Sequence, residues 1–240
     1  MHDKLILLIA LGTCVATLFG GWLAMILRDR LHLILGFSAG AVLAVAFFDL
    51  LPEALKLAPA NPSLAFAVAA VGFFAYTVLD RLINTHGNRH GHDGAARARG
   101  WLGAASLSAH SFVDGFAIGA GFQASVGVGT VVAVAVIAHD CADGMNTVNL
   151  VVKGGGSRTQ AFRWLAIDAI APVLGAAASL YLQFSGHDLA LLLALFGGFF
   201  LYIGASDLLP ESFHAHPKML TTLMTLLGAV FLYTVVRLAG

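Results

Sequence analysis

Charge is scarce in this sequence: Asp, Glu, Lys and Arg make up 11% of its 240 residues, against 59% hydrophobic. A soluble domain carries about 25% charged residues, so a chain this poor in charge cannot coat a water-facing surface. No sign of charge is in excess either, with 13 basic and 13 acidic residues and a formal net charge of zero. Without a basic stripe to neutralise phosphates, nucleic acid is excluded as a partner. Cysteine is nearly absent, and Cys14 and Cys141 both lie inside apolar stretches, which excludes a disulfide framework. There is no clear A-x-A cleavage site, and the first apolar stretch, Leu5–Ile26, exceeds the roughly 7–15 residues of a signal-peptide h-region. It is therefore read as a membrane span. Strict polar/apolar alternation is missing too, which excludes a lipid-facing β-barrel. What remains, at a mean hydropathy of +0.86, is an all-α integral membrane protein.

A helix needs about 20 apolar residues to cross the hydrocarbon core. Eight such runs stand out: Leu5–Ile26, Leu33–Leu57, Leu64–Asn84, Trp101–Phe122, Val128–Val152, Arg163–Phe184, Leu189–Leu209 and Leu220–Val236. Together they form a single eight-helix domain over residues 1–240, interrupted at 85–100 by a His-containing loop. Under this topology one side of the membrane collects ten basic residues (Arg28, Arg30, Arg81, Arg89, Arg97, Arg99, Lys153, Arg158, Arg163, Lys218) and the other three (Lys4, Lys56, Arg237). The positive-inside rule makes the first side cytoplasmic and places both termini outside. Trp22, Trp101 and Trp164 then stand near the cytoplasmic ends, as interfacial anchors do. The second span ends Asp49-Leu-Leu-Pro-Glu53 and the seventh, crossing in the opposite direction, ends Asp207-Leu-Leu-Pro-Glu211. Paired motifs in oppositely directed helices predict an inverted repeat, a hallmark of secondary transporters.

The informative residues are polar ones at membrane depth. Span four reads His110-Ser-Phe-Val-Asp114 and span five reads His139-Asp140-Cys-Ala-Asp143. Each pair is four residues apart, so both side chains share one helix face. His110 lies nine residues inside its span, or ~13 Å at 1.5 Å per residue, close to the midplane. His139 is at a similar depth. An Asp at the centre of a spanning helix costs about 2.5–3.5 kcal/mol on insertion scales. A divalent cation held by two imidazoles and two carboxylates would offset that cost, and this N/O set suits zinc or, with added water, iron or manganese. Cys141 points to the opposite face and is not counted as a ligand. A lone buried His is commonly a helix-packing residue, and one His/Asp pair also fits a proton relay; two pairs at matched depth favour a metal site. Gly115 and Gly119 are read simply as a small-residue face that lets helices approach.

Other polar groups are auxiliary candidates. Asp168 in span six is deep enough to be costly. Asp49 and Glu53 at the outer end of span two, and Asp207 and Glu211 at the inner end of span seven, would mark two mouths of a cation path or cap helix ends. His86, His90 and His92 sit in the loop, where His-rich tracts bind metal or remain a solvated linker. His214 and His216 follow the Glu211 turn.

Taken together, these residues resemble the ZIP (Zrt-/Irt-like protein) family of metal transporters over essentially the whole chain. The stretch His110-Ser-Phe-Val-Asp114-Gly-Phe-Ala-Ile-Gly119 is similar to that family's fourth-span motif, His-Asn-x-x-Asp-Gly-x-x-Ile-Gly. His139-Asp140-Cys-Ala-Asp143-Gly144 falls where its fifth-span motif lies, and the Leu-Leu-Pro-Glu turns are further features. The resemblance implies transport of zinc or related divalent ions (iron, manganese, cadmium) toward the cytoplasm, by a homodimer in the lipid bilayer of a plasma membrane, the bacterial inner membrane being the simplest case. It implies His110, Asp114, His139 and Asp143 as ligands, with Ser111 and Asp140 where some members build a second, adjoining ion position. The ion is then substrate, and no cofactor is expected. Three departures bear on selectivity: Ser111 replaces Asn, Ala142 replaces Pro, and Asp143 replaces the longer Glu. A sixth-span acidic ligand is also lacking, since Ala171 occupies its place with Asp168 a turn earlier. The competing class is an intramembrane zinc-dependent hydrolase using the same ligands. The sequence offers it no His-Glu-x-x-His and no nucleophile paired with a base, so the chain is read as a carrier and not an enzyme.

Overall fold

The computed structural model describes residues 2–25, 31–86, 92–214 and 219–239. Among these there is no strand; the chain is a bundle of helices: α1 (His2–Ala24), α2 (Leu31–Val45), α3 (Leu51–Leu57), α4 (Pro62–His86), α5 (His92–Ala124), α6 (Val126–Lys153), α7 (Arg158–Ser179), α8 (Gly186–Tyr202), α9 (Leu209–His214) and α10 (Met219–Ala239). α2 runs into α3, and α8 into α9, through π-turns at Ala46–Leu50 and Ile203–Leu208. Both π-turns end just before a proline, Pro52 and Pro210. A proline ring collides with the carbonyl four residues back in a straight α-helix, and a widened turn relieves the collision. The Asp-Leu-Leu-Pro-Glu repeat thus carries the same backbone defect twice.

Among the described residues, seven helical stretches are long and apolar enough to cross a membrane: Lys4–Ala24, His32–Leu57, Pro62–Leu79, Val126–Lys153, Arg158–Ser179, Gly186–Phe213 and Met219–Leu238. The eighth, α5, is long but too polar by composition, because it carries Arg97, Arg99, His110, Asp114 and a run of Ser and Gly. The expected loop over 85–100 is also shorter than read from sequence. Residues 92–100 form the first turns of α5, where Ala95, Ala96 and Ala98 are strong helix formers. Span six is shifted toward the N-terminus of its helix: α7 starts at Arg158, behind a Ser157/Gln160 capping box, and ends at Ser179. Ser125 caps α6 by accepting the Val128 N–H at 3.1 Å, which places the start of that helix two residues before the predicted Val128.

The exterior is apolar, and polar residues are set into an otherwise apolar interior. Leu8, Val15, Phe74, Val71, Leu226 and Val230 lie exposed on α1, α4 and α10, while Thr13, Thr17, Ser38, His110, Ser111, Asp114, His139, Asp140, Asp143, Thr147 and Asp168 are buried. That arrangement is what a lipid surround requires, since uncompensated polar groups facing hydrocarbon cost several kcal/mol each.

Small residues set the helix pairs. In α5 and α7, Gly115 lies against the Pro172 carbonyl and Gly175 against that of Phe112. The same reciprocal contact joins α1 to α6 (Gly20 on Cys141, Gly144 on Thr17), α2 to α10 (Gly40 on Thr225, Gly228 on Phe37), and α4 to α8 (Gly72 on Leu195, Gly198 on Ala69). A Cβ at any of these eight positions would overlap a backbone carbonyl, so only glycine permits the approach. α5 and α6 also pack on each other.

Candidate metal centre

The two His/Asp pairs meet between α5 and α6. One ligand atom from each of His110, Asp114, His139 and Asp143 lies within 4.8 Å of all the others, and all four residues are buried. His110 Nε2 is 3.1 Å from Asp114 Oδ2 and 3.6 Å from Asp143 Oδ2. His139 Nε2 is 3.3 Å from Asp114 Oδ2 and 3.7 Å from Asp143 Oδ2. All four offer imidazole nitrogen or carboxylate oxygen, the donor types that zinc takes.

Direction matters as much as distance. His139 Nδ1 lies 2.9 Å from the Ala135 carbonyl, one turn back on α6. That carbonyl can only accept, so Nδ1 carries a proton, and Nε2 is the ring atom that faces the cluster, 3.3 Å from Asp114 Oδ2. His110 Nε2, Asp114 Oδ1 and Asp143 Oδ2 have no hydrogen-bond partner although other polar atoms lie close by. His110 Nε2 and Asp143 Oδ2 belong to the cluster, whereas Asp114 reaches it through its other oxygen, Oδ2. The imidazoles are backed by aromatic rings from another helix pair: Tyr76 of α4 stands edge-on to His110 at 6.0 Å, and Phe200 of α8 to His139 at 5.9 Å.

The remaining expected site residues are placed as follows. Ser111 turns away from the cluster and donates to Asp168 Oδ1 at 2.8 Å. Asp168 Oδ2 accepts from Thr147 Oγ1 at 2.7 Å. Asp140 is fully buried beside the cluster, and neither of its oxygens has a partner. Asp49, on the first π-turn, is buried with Oδ2 unpartnered, and Glu53 accepts from Lys56 at 3.0 Å. Asp207 and Glu211 are exposed. None of these four acids joins the cluster among the described residues. His86 ends α4 and His92 begins α5, with side chains outside the described residues; His90 and His216 lie outside them altogether. Sequence reasoning missed Thr147, Tyr76 and Phe200. Thr147 was detectable, being one turn beyond Asp143 on the same helix; the aromatic rings carry no pattern of their own.

A helical bundle with an apolar exterior fits a multi-pass membrane protein, and its buried two-imidazole, two-carboxylate cluster could hold a metal ion. The family profile described as ZIP Zinc transporter matches residues 83–235, which hold the whole cluster. The chain belongs to that family. It is 29% identical over 150 residues to "Zinc transporter SLC39A7" of Homo sapiens, covering 58% of this chain and 32% of that protein. It is 31% identical over 144 residues to the Mus musculus protein of the same name (56% and 30%), and 28% over 123 residues to "Zinc transporter ZIP6" of Homo sapiens (51% and 16%). The matches thus span about a third or less of these curated relatives.

Proposed function

We propose that this protein carries divalent metal ions, zinc first among them, across a membrane toward the cytoplasm by alternating access at the His110–Asp114–His139–Asp143 centre. The observation that carries this reading is the convergence of four ligand atoms, three of them with an unpartnered atom, in a buried site at membrane depth. Two aspartates in hydrocarbon are costly unless a cation compensates them. The relatives are named zinc transporters, which favours an ion carrier over a hydrolytic enzyme.

The transport cycle we assign rests on eight spans, α5 being the eighth, with both termini outside and an inverted repeat. Support for the repeat comes from matched spacings. Gly40 precedes Asp49 by nine residues, as Gly198 precedes Asp207, and a π-turn overlaps the end of each interval. His110, Asp114 and Gly115 have the same spacing as His139, Asp143 and Gly144. The helix pairs follow suit: α2·α10 and α4·α8 correspond, as do α1·α6 and α5·α7. In this cycle Asp49 and Glu53 attract ions at the outer mouth, and Asp207 and Glu211 serve the inner one. Asp140, with both oxygens unpaired, borders an adjoining second ion position. The family likeness further suggests a homodimer in a plasma membrane.

The test is zinc flux into proteoliposomes holding the purified protein, with a His110→Ala/His139→Ala double variant alongside. Flux in the parent and none in the folded variant is expected. Equal flux in both would overturn the assigned site, and absence of flux for every divalent ion would overturn transport.

A further inference from the structure

We propose that Asp168 is a positioning residue that sets the separation between the two halves of the metal centre, and through it the preference among ions, without being a ligand. The inference rests on the reading of the His/Asp cluster as a metal centre.

Asp168 is fully buried in α7, yet both its oxygens are occupied, one by the Ser111 hydroxyl at 2.8 Å and the other by the Thr147 hydroxyl at 2.7 Å. This distinguishes it from Asp114 and Asp143, each of which has one oxygen without a hydrogen-bond partner. Its two donors come from different helices. Ser111 directly follows His110 on α5, and Thr147 lies one turn beyond Asp143 on α6. The carboxylate therefore ties α5 to α6 at the level of the cluster. α7 is a firm base for such a tie, because the Gly115–Pro172 and Gly175–Phe112 backbone contacts fix it against α5.

The distances in the cluster divide accordingly. His110–Asp114 (3.1 Å) and His139–Asp143 (3.7 Å) are set within single helices. His110–Asp143 (3.6 Å) and His139–Asp114 (3.3 Å) cross from one helix to the other, and these are the separations the tie controls. Charge-assisted hydrogen bonds are short and strong, more so in a low-dielectric interior, so the tie is stiff. Zinc accepts four close ligands, whereas manganese takes a larger, six-fold shell. Loosening the tie penalises zinc and spares manganese.

The experiment is competition binding of Zn²⁺ and Mn²⁺ to the purified, detergent-solubilised full chain against a chromogenic chelator, for the parent and for Asp168→Ala, Asp168→Asn, Ser111→Ala and Thr147→Val, each checked for a monodisperse gel-filtration peak. Loss of a residue that orients metal ligands costs about ten- to a hundredfold in affinity. Asp168→Ala is expected to lose that much for zinc and little for manganese, contracting the zinc-over-manganese ratio. Asp168→Asn, which still accepts from Ser111 and can donate to the Thr147 hydroxyl, is expected to recover most of it. If Asp168→Ala fails to fold, Ser111→Ala and Thr147→Val carry the test, each contracting the ratio in part. An unchanged ratio in folded Asp168→Ala, or in both hydroxyl variants, overturns the proposal. So does an Asn variant as impaired as Ala with one bound ion fewer per chain, which would make Asp168 a ligand. A parent that binds zinc but moves none would sink transport and leave this proposal standing.

Discussion

Replacing Gly175 by alanine tests how the bundle geometry reaches the metal centre. A Cβ there would overlap the Phe112 carbonyl, a backbone atom that no rotamer change can move aside. Ordinary carbon–oxygen approach is about 3.3–3.6 Å, so α5 and α7 must part by roughly an ångström or more. Overpacking of this kind costs about 1–3 kcal/mol. The same displacement stretches the 2.8 Å Ser111–Asp168 bond past the hydrogen-bonding limit. Zinc affinity should then fall about tenfold or more, as for loss of a ligand-orienting group. Two controls separate the effects. Gly228→Ala makes an equivalent overlap with the Phe37 carbonyl in α2·α10, a helix pair that carries none of the four cluster residues, and should lose stability but keep zinc affinity. Gly186→Ala meets nothing within 4 Å and should change neither. Thermal unfolding in detergent reads stability, and chelator competition reads affinity. If Gly175→Ala matches Gly186→Ala, or Gly228→Ala loses zinc as Gly175→Ala does, the reasoning fails.

Zinc affinity should fall on acidification, because a protonated imidazole has no lone pair for the ion; titration of zinc binding against pH checks this, and a flat profile would contradict histidine ligation. Zinc at a hundredfold excess over Kd should stabilise the fold by about 2.7 kcal/mol and a chelator should reverse it, while the His110→Ala/His139→Ala protein should show no zinc-dependent shift in Tm. Ser125→Ala should cost about 1 kcal/mol by removing the cap on α6, with zinc binding retained; a variant as stable as the parent would remove that role from Ser125.

The two His/Asp pairs were legible in the sequence because a four-residue spacing puts both side chains on one helical face whatever the tertiary fold. Their meeting was an expectation, and the reading of Gly115 as a packing residue agrees with its contact on Pro172. The bond from Ser111 to Asp168 was not legible, since the two residues lie 57 positions apart and their encounter depends on how α5 and α7 cross. Nor was the length of α5: the charged and glycine-rich start that reads as loop by hydropathy still contains enough alanine to stay helical. Hydropathy measures transfer into lipid, and α5 carries the buried His110, Ser111 and Asp114 and the Gly115 packing face, which lower its score.

A π-turn holds one residue more than the α-turn it replaces, which advances the helical phase by about 100°. Read as text, each of the two long helices therefore contains a silent insertion. Because both copies contain it, Gly40–Asp49 and Gly198–Asp207 align without a gap. A descendant that lost one codon from either interval would keep a continuous helix but would turn its acidic end away from its glycine face. The nine-residue spacing would then differ between the two intervals, and a single-codon gap in their alignment would record the loss.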